Sequence, residues 1–229
     1  DLEISKDILK NKKDLLKIKP KFTVVILTNQ KNFEYISHTI KTIKEQIYNN
    51  YEFFLLIDFS LDDSYFNNKK ENFQDAICVR KISDIQKNSS GDFICFLQSG
   101  DKMSKNALFK ITNYINTDPD SELIYTDHDF YDKNNLRTNP FFKPDWSPFL
   151  FKSVDYISTF FIVKKEIFNQ TSFDVDSSSI AYSISKEVTK KSKKIIHIQS
   201  PLCSINYDYI FTKHTNQTKK NSKQSKKII

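Results

Sequence analysis

The chain has 229 residues, 35 Lys and Arg against 28 Asp and Glu, a net charge of +7, and 38% hydrophobic and 14% aromatic side chains. That apolar content supplies one core of α/β size, whereas its two glycines, Gly91 and Gly100, are too few for a Walker or dinucleotide phosphate loop. Six lysines and no acid fall in residues 213–229, so the body is close to neutral, which argues against nucleic-acid binding by a basic folded face.

Residues 1–20 read as a lead-in helix, because Leu2, Ile4, Ile8, Leu9, Leu15, Leu16 and Ile18 fall closer to a helical stripe than to strand alternation, and Pro20 stops it. Phe-Thr-Val-Val-Ile-Leu-Thr at 22–28 has no polar alternation, the mark of a parallel strand covered on both faces. Ile36, Ile40, Ile43 and Ile47 predict a helix within 33–47. Residues 51–57 predict a second buried strand ending in Asp58, which completes a right-handed βαβ unit.

A polar loop to Asn68, a short strand at 76–79 and a weak helix or loop at 82–90 lead to the central strand at 92–97. A helix over 106–115, N-capped by Ser104 and closed by Asp118 and Pro119, precedes a strand at 122–126 with Asp127, His128 and Asp129 on its carboxyl end. Strands at 157–163 and 195–198, with a helix near 177–190 between them, complete a body of residues 21–210. Residues 211–229 have too little apolar surface to order and read as a disordered basic tail, whose lysines suit contact with an anionic membrane surface. Both ends read as cuts through a longer chain.

Cys78, Cys95 and Cys203 are scattered, which argues for a reducing compartment and against a disulfide framework or a zinc site. No signal peptide opens the chain, and no apolar run approaches the roughly 20 residues of a membrane span. These features place the protein in the cytoplasm or on the inner face of a membrane. In an open α/β sheet, ligands sit beyond the carboxyl ends of strands, so the chemistry is expected after Leu97 and after Tyr125. His38 and His197 read as structural; Trp146 stacks on a sugar ring or is buried against the sheet edge, and Lys143 meets a phosphate or solvent.

Several segments in one collinear order carry more information than composition. Val-Val-Ile-Leu-Thr (24–28), Gln-Ile-Tyr-Asn-Asn-Tyr-Glu (46–52), Ile-Tyr-Thr-Asp-His-Asp (124–129), Arg137, Phe-Lys-Pro-Asp-Trp-Ser-Pro (142–148) and Asp-Tyr-Ile (155–157) span most of the body. Together they resemble the family 2 glycosyltransferases that build bacterial O-antigen and capsule. The resemblance implies an α/β, GT-A-type domain of the nucleotide-diphospho-sugar transferases, with a mainly parallel central sheet flanked by helices. It also implies transfer of a sugar, of the hexosyltransferase type, from a nucleotide-diphosphate sugar to a glycan or lipid-linked acceptor, with Mg²⁺ or Mn²⁺ on acidic ligands. Thr28, Asp58 and Asp101 then fall on the donor side, Asp101 as the remaining metal ligand, and Asp127, Asp129, Lys143 and Trp146 on the acceptor side.

The chain departs from that pattern at its acids. The family's L-D-H-D-D is Leu97, Gln98, Ser99, Gly100 and Asp101 here, its D-D-G-S is Ile57, Asp58, Phe59 and Ser60, and its base motif falls on Ala181, Tyr182 and Ser183, with Asp174 and Asp176 the nearest carboxylates. The alternative to a transferase is therefore a catalytically inactive module of the same fold that binds a glycan or a protein. A second route is transfer without a tightly held metal, with Arg80 or Lys102 on the diphosphate. A working acidic site would need Asp58, Asp127 and Asp129 to converge on Asp101.

Overall fold

Strand β1 (Phe22–Thr28) is buried at every position and pairs in parallel with β2 (Tyr51–Ile57) on one side and β4 (Phe93–Gln98) on the other. Its alternate side chains feed two separate cores: Val24 and Ile26 enter one, Val25 and Leu27 the other. That double covering is what a strand without polar alternation requires. The structure is a computed structural model and describes residues 16–58, 61–68, 73–173 and 179–206. The basic tail and residues 1–15 of the expected lead-in helix lie outside these, and residues 16–20 reach β1 without helical structure. Asn116 holds that approach by bonding the Ile18 N–H and carbonyl, both at 2.8 Å.

A 3-10 turn (Phe33–Tyr35) leads into α1 (Ile36–Lys44), whose Ile36, Ile40 and Ile43 are buried at helical spacing. The helix stops short of Ile47, whose N–H is taken by the Lys105 carbonyl at 2.9 Å. After β2 come the short α2 (Asp63–Asn67), capped by the Asp62 carboxylate, the edge strand β3 (Ile77–Val79) and α3 (Ile82–Asn88). Beyond β4 lie β5 (Lys102–Met103) and α4 (Ala107–Thr117). Ser104 does not cap α4; its hydroxyl donates to the Pro201 carbonyl at 3.3 Å.

The sheet runs β3-β2-β1-β4-β8-β6-β9-β5, with β7 (Arg137–Phe141) hairpinned onto β6 (Leu123–Tyr131). The expectation of a mainly parallel sheet describes the β3-β2-β1-β4 half; beyond it β8 (Phe161–Lys164) runs antiparallel to both β4 and β6, and β9 (Ile195–Asn206) returns parallel to β6. Helices α5 (Pro148–Ser153), α6 (Lys165–Asn169) and α7 (Ile180–Lys191) cover the second core. The expected strand at 157–163 is only β8, whereas the one at 195–198 extends through Pro201 to Asn206.

The largest departure is β6. Asp127, His128 and Asp129 lie inside this strand and not beyond its carboxyl end, because β9 stays paired with it as far as Tyr131 and Asn206. Register shifts on either side of Asp127 absorb the mismatch between the two strands.

At the opposite ends of the strands, Gly91 lies so close to β1 that a Cβ there would stand 2.5 Å from the Thr23 nitrogen. The approach lets Glu52 gather the Thr23 hydroxyl at 2.7 Å, the Ser90 N–H and hydroxyl at 2.6 Å each, and the Lys21 ammonium at 3.0 Å. Burial alone would raise the Glu52 carboxyl, but these donors outweigh it and hold it at about 2.

Candidate donor cleft and the buried polar network

A cleft of about 470 Å³ opens beyond the carboxyl ends of β2 and β3. Its polar lining comes from Asp58, Arg80, Lys81, Ser83 and Gln86, and its apolar walls include Ile82, Phe173 and Ile180. Such a cavity has the size and mixed lining of a small-molecule site. Two of these polar groups are committed to the fold. Arg80 bonds the Asp58 and Leu61 carbonyls at 3.2 and 3.3 Å and pairs with Asp63, while Gln86 donates to the Phe168 and Thr171 carbonyls at 2.9 and 3.0 Å. Lys81 and Ser83 are exposed on the cleft wall. The Asp58 N–H bonds the Thr28 carbonyl at 2.8 Å, so the two residues are neighbours, but Asp58 lines the cleft and Thr28 does not.

Asp101 sits across β1, in the turn that follows β4. The Thr39 hydroxyl donates to its carbonyl at 2.7 Å, Gly100 takes the left-handed φ of 101° the turn needs, and Tyr131 donates to the Gly100 carbonyl at 2.5 Å. The Asp101 carboxylate is buried and accepts the Gln98 N–H at 3.3 Å. Burial pushes it up to about 8, with the Gln98 amide and the Lys143 ammonium pulling the other way. Lys102, a sequence candidate for the diphosphate, instead stands 3.5 Å from the Tyr131 ring centre and bonds Asn135.

Whether this site fits a divalent cation follows from its acids. Mg²⁺ and Mn²⁺ are held by several oxygen ligands, whereas Asp101 is the one carboxylate in the turn after β4. Among the described residues no group of three or more His, Cys, Asp or Glu side chains is placed to hold a metal, so Asp58, Asp127 and Asp129 do not gather on Asp101. Asp174 and Asp176 lie outside the described residues. The carboxylates in hand do not fit the expected metal.

The acids of β6 have another task. Asp127 accepts the Lys143 N–H and bonds His197 Nε2, both at 2.8 Å, and Nδ1 of His197 meets Asp145 at 3.1 Å. The His197 ring stacks on Tyr125 at 4.7 Å, and Tyr125 donates to the Pro144 carbonyl at 2.6 Å. Asp129 pairs with Arg137 at 2.6 Å, and that guanidinium also bonds the Pro201 carbonyl at 2.9 Å. Asp127 and Asp129 therefore fasten the 142–148 loop, the β7 hairpin and β9 to one strand.

Lys143 is 5% exposed, not a solvated lysine, and burial brings its ammonium down to about 8. Its Nζ, Asp127 Oδ2, Asp129 Oδ1 and Thr28 Oγ1 are buried without a hydrogen-bond partner among the described residues. Trp146 is half-buried against Phe151, with ring centres 5.6 Å apart. His38 is exposed on α1.

Sequence reasoning read His197 as structural but named no partner for it, because its partners appear only once the β6–β9 register sets it beside Tyr125. It missed Lys81 and Ser83. Their one signal was their position just after a strand end.

No protein-family model matches the chain. It is 26% identical over 201 residues to the O-antigen biosynthesis protein RfbC of Myxococcus xanthus, which covers 80% of this chain and 16% of that protein. It is also 26% identical over 151 residues to the uncharacterized protein y4gI of Sinorhizobium fredii, covering 61% of this chain and 17% of that protein. The chain thus spans about a sixth of the length of the curated relatives it matches. Among solved structures, S. aureus TarS 1–349 in complex with UDP-GlcNAc superposes with a TM-score of 0.60 at 16% identity, over 81% of this chain and 58% of that one. The mannosyltransferase PcManGT of Pyrobaculum calidifontis, in complex with GDP-Man and Mn²⁺, gives 0.55 at 13% identity, over 82% and 57%. At these identities the likeness is one of fold.

Proposed function

We propose that this chain, which has a family 2-like glycosyltransferase fold, binds a nucleoside-diphosphate sugar in the cleft beyond β2 and β3 and serves sugar transfer in surface-polysaccharide synthesis. One observation carries the reading. The cleft at the strand ends joins apolar walls, suited to a base, to the Asp58 carboxylate and the exposed Lys81 ammonium. A carboxylate can accept the ring N–H of a base, and a lysine can neutralise the charge that develops on a leaving diphosphate. The ligands in the related structures, UDP-GlcNAc and GDP-Man, support the ligand class, and the O-antigen biosynthesis relative supports the setting.

In this reading Thr28, Asp58 and Asp101 belong to the donor side, and the Lys81 ammonium on the cleft wall offsets the diphosphate charge. Asp127, Asp129, Lys143 and Trp146 hold the acceptor-side loop in shape for a glycan or lipid-linked acceptor. A second reading, a binding module without transfer, is favoured by the carboxylate-free start of α7, where Ala181, Tyr182 and Ser183 stand.

Calorimetric titration with UDP, dTDP and GDP, each with and without Mn²⁺, tests the ligand. One nucleotide should bind with little response to Mn²⁺, and Lys81→Ala should weaken it about tenfold, the loss expected for one charge-assisted contact. Failure of all three to bind the folded protein would sink the reading. Turnover of the matching sugar nucleotide onto a glycan acceptor separates transfer from binding alone.

A further inference from the structure

Ten large apolar side chains stand exposed among the described residues, and six of them lie between 136 and 154: Leu136, Phe141, Phe142, Phe149, Leu150 and Val154. Scattered exposed hydrophobics need no explanation, but a concentration in one loop-and-helix segment does. Phe149 is 81% exposed, Phe142 70% and Val154 54%, more than the fold requires of any of them. The neighbours in sequence are anchored. Phe151 is buried against Trp146, Tyr156 and Tyr182, and Phe141 stacks on His128 at 5.0 Å. The backbone of the segment is thereby held on the second core while its apolar side chains face outward.

We infer that this face seats the domain on an anionic phospholipid surface, with Phe142, Phe149 and Leu150 entering the headgroup–acyl boundary. Charge selects this occupant over a second copy of the chain. The six lysines of residues 213–229 supply nearly all of the +7 charge, and Lys133 and Lys152 stand exposed beside the apolar side chains, so an anionic surface attracts this part of the chain. Lys152 lies over the Phe149 ring at 5.7 Å, and Lys133 stands exposed in the hairpin beside Leu136, both able to keep their ammonium groups among headgroups above inserted rings. Asp145, the one exposed acid in residues 141–154, is bonded to His197. The six lysines of residues 213–229 follow β9, which ends at Asn206 opposite Tyr131, next to the hairpin that carries Lys133 and Leu136. Among the described residues no helix is long and apolar enough to cross a membrane.

The test is co-sedimentation of the 229-residue chain with vesicles of phosphatidylcholine, alone or mixed with phosphatidylglycerol. It needs no nucleotide, so its result is independent of the donor reading. The chain should bind the mixed vesicles, and Phe142→Ser with Phe149→Ser should weaken that binding about tenfold or more with the tail intact. A second variant, with Lys219, Lys220, Lys223, Lys226 and Lys227 all changed to Gln, should keep part of the binding and all of its sensitivity to the two phenylalanines. Three results would overturn the proposal: no binding by the parent chain, binding indifferent to the two phenylalanines, or a concentration-dependent dimer in sedimentation velocity that the double variant abolishes.

Discussion

The two halves of the sheet treat polar groups in opposite ways. The parallel half, β3-β2-β1-β4, has an apolar interior and leaves its polar residues at strand ends, where Asp58 meets the cleft and Glu52 gathers the far ends. The mixed half carries Asp127, Asp129 and His197 inside its strands and buries Lys143 against them. In the first half one acid, Asp58, lines a cleft at a strand end, whereas the acids within β6 of the second half are braces. Position relative to the ladder, not residue type, separates candidate chemistry from structure.

Asp127→Ala should break that contrast most severely. It leaves the Lys143 backbone N–H and His197 Nε2 without their acceptor and removes the carboxylate whose charge offsets the buried Lys143 ammonium, a loss of about 3–5 kcal/mol read as a lower urea midpoint. A loss below about 1 kcal/mol would mean that the network does not brace the fold. Asp101→Asn sharpens the comparison at the turn after β4. The folded carboxyl sits near 8 and the unfolded one near 4, so between those values the folded state binds more protons and the parent loses stability as pH rises. The Asn variant should lack this decline and be the more stable of the two at pH 8 in thermal melts.

Glu52→Gln probes the far ends of the parallel half with the opposite sign. Its folded pKa of about 2 lies below the unfolded value, so its contribution, on the order of 2 kcal/mol, is present above about pH 4.5 and fades as pH falls towards 2. The variant should be less stable at pH 7 and should show a flatter acid limb. The smallest effect is expected in the cleft itself. Lys81→Ala should change stability by less than about 0.5 kcal/mol, because the side chain is exposed, while nucleotide binding falls. A stability loss matching that of Asp127→Ala would erase the distinction between the halves.

Much of the parallel half was legible residue by residue. The unalternating runs at 22–28 and 51–57 could only be covered strands, and Ile36, Ile40 and Ile43 could only be one helical face. The start of α4 was not, because Ser104 has the chemistry of a cap but its hydroxyl finds the Pro201 carbonyl, a group 97 positions away. The length of β6 was hidden for a related reason. Three polar residues in a row read as a loop unless a parallel neighbour and a salt-bridged hairpin satisfy them; the hairpin is local, but the neighbour, β9, comes from distant sequence.

The sequence by itself determined the α/β class and the loss of acids around Asp101, because each depends on local pattern and residue type; it put the chemistry after Leu97 and Tyr125, whereas the cleft lies beyond β2 and β3. The tertiary structure alone decided which surviving acids are committed. Asp127, His197 and Asp145 meet only through the β6–β9 register and the fold of the 142–148 loop, and burial of the turn after β4 is what pushes the Asp101 carboxyl up. Burial and long-range pairing set the charge state of a carboxylate, and neither is written in its neighbours along the chain.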